Sequence, residues 1–138
     1  MIEDLEREGL IRRLPLDEKK VEDSLAHARR DMGTARAILK TDPDWAYTIA
    51  YNAILQAGRG LMFSRGYRPD GAHQHIAVVK FAALFLEERD SVIFDRMRRK
   101  RNSSVYDTAG SVSETEADSA MRHAEDLVSR IEELIRKG

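Results

Sequence analysis

Between Val21 and Leu39 the apolar residues Val21, Leu25, Ala28, Met32, Ala35 and Leu39 follow one another at steps of 4, 3, 4, 3 and 4. Those steps lay a single stripe along an α-helix, whereas on a strand they would scatter over both faces. The other long segments carry the same period, and none alternates as a strand would. The expected fold class is therefore all-α: an up-and-down antiparallel bundle of four to five helices without a sheet.

Local signals place the helix ends. Residues 2 to 12 read as a short charged helix that Leu14-Pro15-Leu16 breaks, and Asp17 is a candidate N-cap for the striped helix that follows. Thr41-Asp42-Pro43 stops that helix and starts the next, with Asp42 as N-cap and Pro43 in the first turn. This second long helix runs to about Ser64 and buries Ala46, Ile49, Ala50, Ala53, Ile54, Ala57 and Leu61, small residues that permit close helix approach. A Gly, Arg, Pro and Asp loop spans 66 to 71. A third helix is expected from His73 to Glu88, and a fourth, capped by Asp90 or Ser91, through the basic run to Val105 or Tyr106. Ser113-Glu114-Thr115-Glu116 has the form of a capping box and opens the last helix, which reaches Lys137. The domain reading is a helical extension over 1–16 and a bundle over 17–138.

A chain of 138 residues fits one domain. It has no cysteine, which excludes disulfides, thiolate metal sites and cysteine nucleophiles. The acidic start Met1-Ile2-Glu3-Asp4 carries no apolar leader, and the uncharged stretch Trp45–Gly58 is too short and polar to span a bilayer. A cytoplasmic location and no membrane association are the corresponding expectations. With a net charge of -1, any affinity for a polyanion has to be local.

The local charge lies in Arg96 and in Arg98-Arg99-Lys100-Arg101, which runs into Asn102, Tyr106 and Asp107. Like charges one helical turn apart repel, so this run requires acidic partners or an anion. On a helix Arg98, Arg101 and Val105 share a face, with Asn102 and Tyr106 on the next. Forked guanidinium donors beside an amide and a phenol suit phosphate and can stack a base. The plainer alternative is a solvated helix end. His73 and His75, two apart at a helix start, do not share a face and have no carboxylate at zinc spacing, so neither a metal nor another cofactor is expected. Gly58-Arg59-Gly60 and the 66–71 loop lack the ending of a phosphate loop and follow no strand. Tyr47, Tyr51 and Asn52 read as core positions with hydrogen-bonded polar ends.

Ala50-Tyr51-Asn52-Ala53-Ile54-Leu55-Gln56-Ala57-Gly58-Arg59-Gly60-Leu61-Met62, then Gly66-Tyr67-Arg68, then Ala72-His73-Gln74-His75, resembles the central part of HEPN domains, over about residues 20 to 135. These small helical domains are named for nucleotide binding in higher eukaryotes and prokaryotes. The family's hallmark is an Arg, a polar residue, a few more positions and a His. The resemblance implies, for active members, a metal-independent ribonuclease, often a toxin paired with a small nucleotidyltransferase antitoxin, and it implies a homodimer. Arg101 matches the Arg and Asn102 the polar residue, but Tyr106 stands where the His is expected. That exchange removes the group suited to proton transfer near neutrality, since a phenol ionises near pH 10 and an imidazole near 6.5. On an ideal helix Arg101 and Tyr106 are also about 7.5 Å apart in rise and about 140° in azimuth.

The expected site is therefore Arg98, Arg99, Arg101, Asn102, Tyr106 and His73 for nucleotide or RNA, with Arg101, Asn102 and Tyr106 as the catalytic set if there is one. The leading reading is a binding module for a nucleotide, an RNA or a nucleotidyltransferase partner. The first alternative is a ribonuclease in which His73, His75 or Tyr106 replaces the missing His. The second is a non-catalytic interaction protein whose basic run meets an acidic surface.

Overall fold

The computed structural model describes residues 1–106 and 110–138, with the side chains of 103–106 outside that description. In chain order the elements are α1 (Ile2–Arg7), β1 (Ile11–Arg13), α2 (Glu18–Ile38), α3 (Pro43–Ser64), β2 (Tyr67–Pro69), α4 (Gln74–Ala83), α5 (Glu88–Tyr106) and α6 (Glu114–Lys137). The architecture is an all-α bundle, and the helix boundaries follow the capping chemistry. Asp17 accepts from the Lys19 N–H and Asp42 from the Trp45 N–H, each satisfying an orphan donor of a first turn. Ser113 and Glu116 close a reciprocal capping box at the start of α6.

α3 is the centre of the bundle and packs against α2, α4, α5, α6 and β2. Its buried face is wider than the predicted stripe: Tyr47, Thr48, Tyr51, Leu55, Gly58, Gly60 and Met62 are buried as well as Ala46, Ala50, Ala53, Ile54, Ala57 and Leu61, whereas Ile49, expected in the stripe, is only half-buried. A helix that is apolar around most of its circumference is one enclosed by neighbours. α2 contributes Leu25, Ala28, Met32 and Ala35 to the same core, and α6 contributes Ala124, Leu127 and Ile131.

Three boundaries depart from the sequence reading. The first helix stops at Arg7, and Ile11–Arg13 pairs antiparallel with Tyr67–Pro69 in the register Ile11↔Pro69, Arg12↔Arg68, Arg13↔Tyr67. The expected absence of a sheet is thus corrected by a small two-stranded ribbon. Three-residue strands are too short for an alternating signal, and their pairing partner lies far along the chain. Gly66, at φ 82, turns the chain from α3 into β2, and its carbonyl accepts from the Leu14 N–H at 2.9 Å.

The other two corrections concern the predicted third and fourth helices. α4 ends at Ala83 rather than Glu88, and residues 84–87 form a turn that lets Phe85 pack on Phe81, ring centroids 5.4 Å apart, beneath the Arg65 guanidinium. Asp90 does not cap α5. It lies in the first turn, is buried, and holds Arg130 of α6 at 2.7 Å.

Candidate anion site between α3, α4 and α5

An open cavity of about 620 Å³ lies where α3, the start of α4 and the C-terminal half of α5 meet. α3 brings Arg59 to it, α4 brings His73, Gln74, His75 and Ile76, and α5 brings Arg98, Arg101 and Asn102. Arg98 and Arg101, expected on one face of α5, line it together with Asn102, expected on the neighbouring face, because the cavity is wide enough to span both. The N-terminal turn of α4 opens on the same space, so the positive end of its dipole adds to the guanidinium charges.

The polar contacts set the character of the cavity. Arg98 is held by Asp95, one turn earlier, at 2.9 Å, and its side chain is only 17% exposed. Arg101 donates to Asn102 Oδ1 at 3.1 Å. The Tyr51 hydroxyl and His75 Nδ1 are 3.0 Å apart, and the Tyr51 ring also packs on Phe94. Burial draws the Arg59 guanidinium below its ordinary range, because a desolvated charge is disfavoured. Burial, and then the nearby charges of Arg101, Arg59 and Arg98, hold the His75 imidazole below its usual value. Burial pushes the Tyr51 phenol up to about 12, partly offset by Arg98, Arg101 and Arg59. At neutral pH the cavity presents three guanidinium groups and the neutral His75 imidazole, backed from the core by the neutral Tyr51 phenol.

Of the residues expected from the sequence, Arg98, Arg101, Asn102 and His73 line this cavity, and His73 is an exposed N-cap without a side-chain cap bond. Arg99 does not line it. That side chain projects from another side of α5 and bonds Asp95 Oδ2 at 3.2 Å. The side chain of Tyr106 and all of Asp107 lie outside the described residues. α5 nevertheless runs without a break to Tyr106, so the helix does not end between Arg101 and Tyr106. The acidic partners that the basic run required are present: Asp95 serves Arg98 and Arg99, and Glu116 of α6 lies 3.7 Å from Lys100.

Of the charged and titratable residues at the cavity, Arg59 and His75 lie outside the sequence reading of the site, as does Tyr51, which holds His75 from behind. Arg59 carried a signal, because it is the one cation in an otherwise uncharged run from Trp45 to Ser64, and such a charge is rarely placed without a use. His75 was visible only as a substitute base, and its bond to Tyr51 joins positions 24 apart in the chain. Among the described residues no group of three or more His, Cys, Asp or Glu side chains is arranged to hold a metal ion, and no helix is long and apolar enough to cross a membrane.

The fold has a solved counterpart in TT1696 from Thermus thermophilus, with a TM-score of 0.64 at 21% identity over 83% of this chain and 98% of that one. None of the curated proteins matches the sequence. The HEPN domain family matches residues 21–134, which takes in most of α2, all of α3, α4 and α5, most of α6 and every residue of the cavity. The chain belongs to the HEPN domain family.

Proposed function

We infer that the cavity between α3, α4 and α5 binds a phosphate group of a nucleotide or an RNA, and that this is the working site of the protein. The observation that carries the reading is the convergence of Arg59, Arg98 and Arg101, from two helices, on the N-terminal turn of a third. Forked donors and a helix N-terminus are the groups that hold phosphate oxygens without a metal. The cavity volume of about 620 Å³ exceeds what one phosphate needs and suits a nucleotide unit, within the usual range for small-molecule sites. Family membership makes a small nucleotidyltransferase a candidate partner. It also favours a homodimer, as do Trp45 at 51% and Val92 at 45% exposure, large apolar side chains left uncovered in one protomer.

The test is anisotropy of a short labelled RNA at low and moderate salt. Arg59→Ala and Arg101→Ala should each weaken binding by about tenfold, and each should lower the salt dependence by about one counterion. Both variants binding like the wild type would remove this site from the reading.

A specific observation favours cleavage as the second reading: His75, a neutral imidazole, shares the cavity with Arg101. Chelator-resistant RNA cleavage that disappears in both Arg101→Ala and His75→Gln would promote the protein to a ribonuclease. The first reading expects weak cleavage or none, and expects Tyr106→His to raise it, because position 106 is where the family's base stands.

A further inference from the structure

The His75–Tyr51 pair is more than packing. Its imidazole sits at the wall of a cavity lined by cations, half-buried, with Nδ1 against the Tyr51 hydroxyl at 3.0 Å. Whichever group donates across that bond, the pair is satisfied while holding one proton fewer than it can hold. A second proton on the ring would make both nitrogens donors, and the Tyr51 oxygen would then accept. In the free protein the surroundings oppose that proton.

We propose that His75 makes anion binding in this cavity proton-coupled: the ring is neutral in the free protein and takes up one proton from solvent as an anion settles among Arg59, Arg98 and Arg101. This rests on the anion-site reading above and adds to it a linkage that the reading alone does not require.

The charges around the ring supply the reason. α3 faces it with Tyr51 and Arg59, α5 with Arg98 and Arg101, and α4 itself adds His73 at the cavity wall. Asp95, the acid of that part of α5, is already engaged by Arg98 and Arg99. The other elements packed on α4 are α1 and β2. Among their charged groups Arg7 pairs with Asp4, Glu6 with Arg13, and Arg68 with Asp70, while Glu3 is exposed on α1. Burial first, and then the charges of Arg101, Arg59 and Arg98, disfavour the imidazolium. An anion bound among the guanidinium groups offsets their field and adds an acceptor, which shifts the balance towards the protonated ring. By linkage, an anion that favours the protonated ring binds more tightly as pH falls through the window between the ring's free and bound pKa values.

Two probes that do not titrate in this range separate the effect from the ligand's own protons: sulfate, and a thymidine oligodeoxynucleotide without terminal phosphates. Calorimetric titration in two buffers of different ionisation enthalpy, from about pH 5.5 to 8, counts protons per anion across the range in which a histidine titrates. The expected result is uptake approaching one proton, with affinity rising by at most about tenfold per pH unit on acidification. His75→Gln should bind with no uptake and a flat pH profile, while Tyr51→Phe, which keeps the imidazole, should still take up a proton. NMR of the wild type gives a readout that needs no variant to fold: of the four histidines, one resonance should titrate below the usual range and move up when sulfate is added. Normal binding with no proton uptake, an unmoved resonance, or equal uptake in His75→Gln overturns the coupling and leaves the anion site standing. Failure of both probes to bind, or binding indifferent to Arg59→Ala and Arg101→Ala, overturns both.

Discussion

Position 58 shows how narrowly one residue can set the distance between helices. A Cβ built on Gly58 would lie 2.5 Å from Val78 Cγ1, with Phe94 ring carbons close behind. Val78 and Phe94 are fully buried, and a β-branched side chain has little rotamer freedom with which to yield. Gly58 therefore lets α3 and α4 approach at the level of the cavity, and Arg59 and His75 come to one space partly because of it. Gly58→Ala should cost about 1–3 kcal/mol through overpacking, despite the better helix propensity of Ala. Val78→Ala in the same chain should recover part of that loss. Denaturant midpoints of the two single variants and the double variant measure both effects, and an unchanged midpoint for Gly58→Ala would show that the contact is not tight. The tyrosines were legible as core residues with polar ends, but the partner of Tyr51 was not, because a hydrogen bond between α3 and α4 leaves no mark at either sequence position.

Among the elements, the segment before α2 and residues 110–112 ahead of α6 are held by contacts distant in sequence. Residues 1–16 send Leu5 and Ile11 into the core and pair β1 with β2. The long helices bury most of the apolar surface without them, so a 17–138 chain should remain helical and unfold cooperatively at a lower temperature. Loss of the cooperative transition on truncation would show that the ribbon is essential to the bundle. The second tie is Asp44, in the first turn of α3. Its carboxylate accepts from the Gly110 N–H and from the Val112 N–H at 2.9 Å, so it anchors the chain where it enters α6. Asp44→Ala removes two charge-assisted bonds and should cost about 1–3 kcal/mol. Thermal melts beside Ser113→Ala, a cap loss worth about 1 kcal/mol, would rank the two ways of holding the start of α6.

Over the whole molecule, the buried titratable groups shape how stability depends on pH. Because the folded chain holds His75 below its ordinary 6.5, the unfolded chain binds more protons just under that pH. Stability should therefore fall as pH drops below 6.5 and level off once the folded-state value is passed, and His75→Gln should flatten this limb. At the other end, burial raises Tyr47 and Tyr51 from 10 to about 12. The unfolded chain loses those protons first, so stability should decline as pH rises from 10 towards 12, less steeply in Tyr47→Phe. Chemical denaturation at a series of pH values tests both limbs, and variants that track the wild type at every pH would reject these assignments.

From neighbouring residues the sequence established the helical class, the caps at Asp17, Asp42 and Ser113, the apolar stripe of α2 and the shared face of Arg98 and Arg101 on α5. Each of these depends on neighbours within a turn or two, where periodicity and capping chemistry act. The tertiary structure alone decided the β1–β2 ribbon, the turn after Ala83, the burial of Asp90 against Arg130, and the meeting of Arg59, His75 and Tyr51 with the arginines of α5. Those contacts join residues far apart in the chain, and they form only when buried apolar faces bring their helices together.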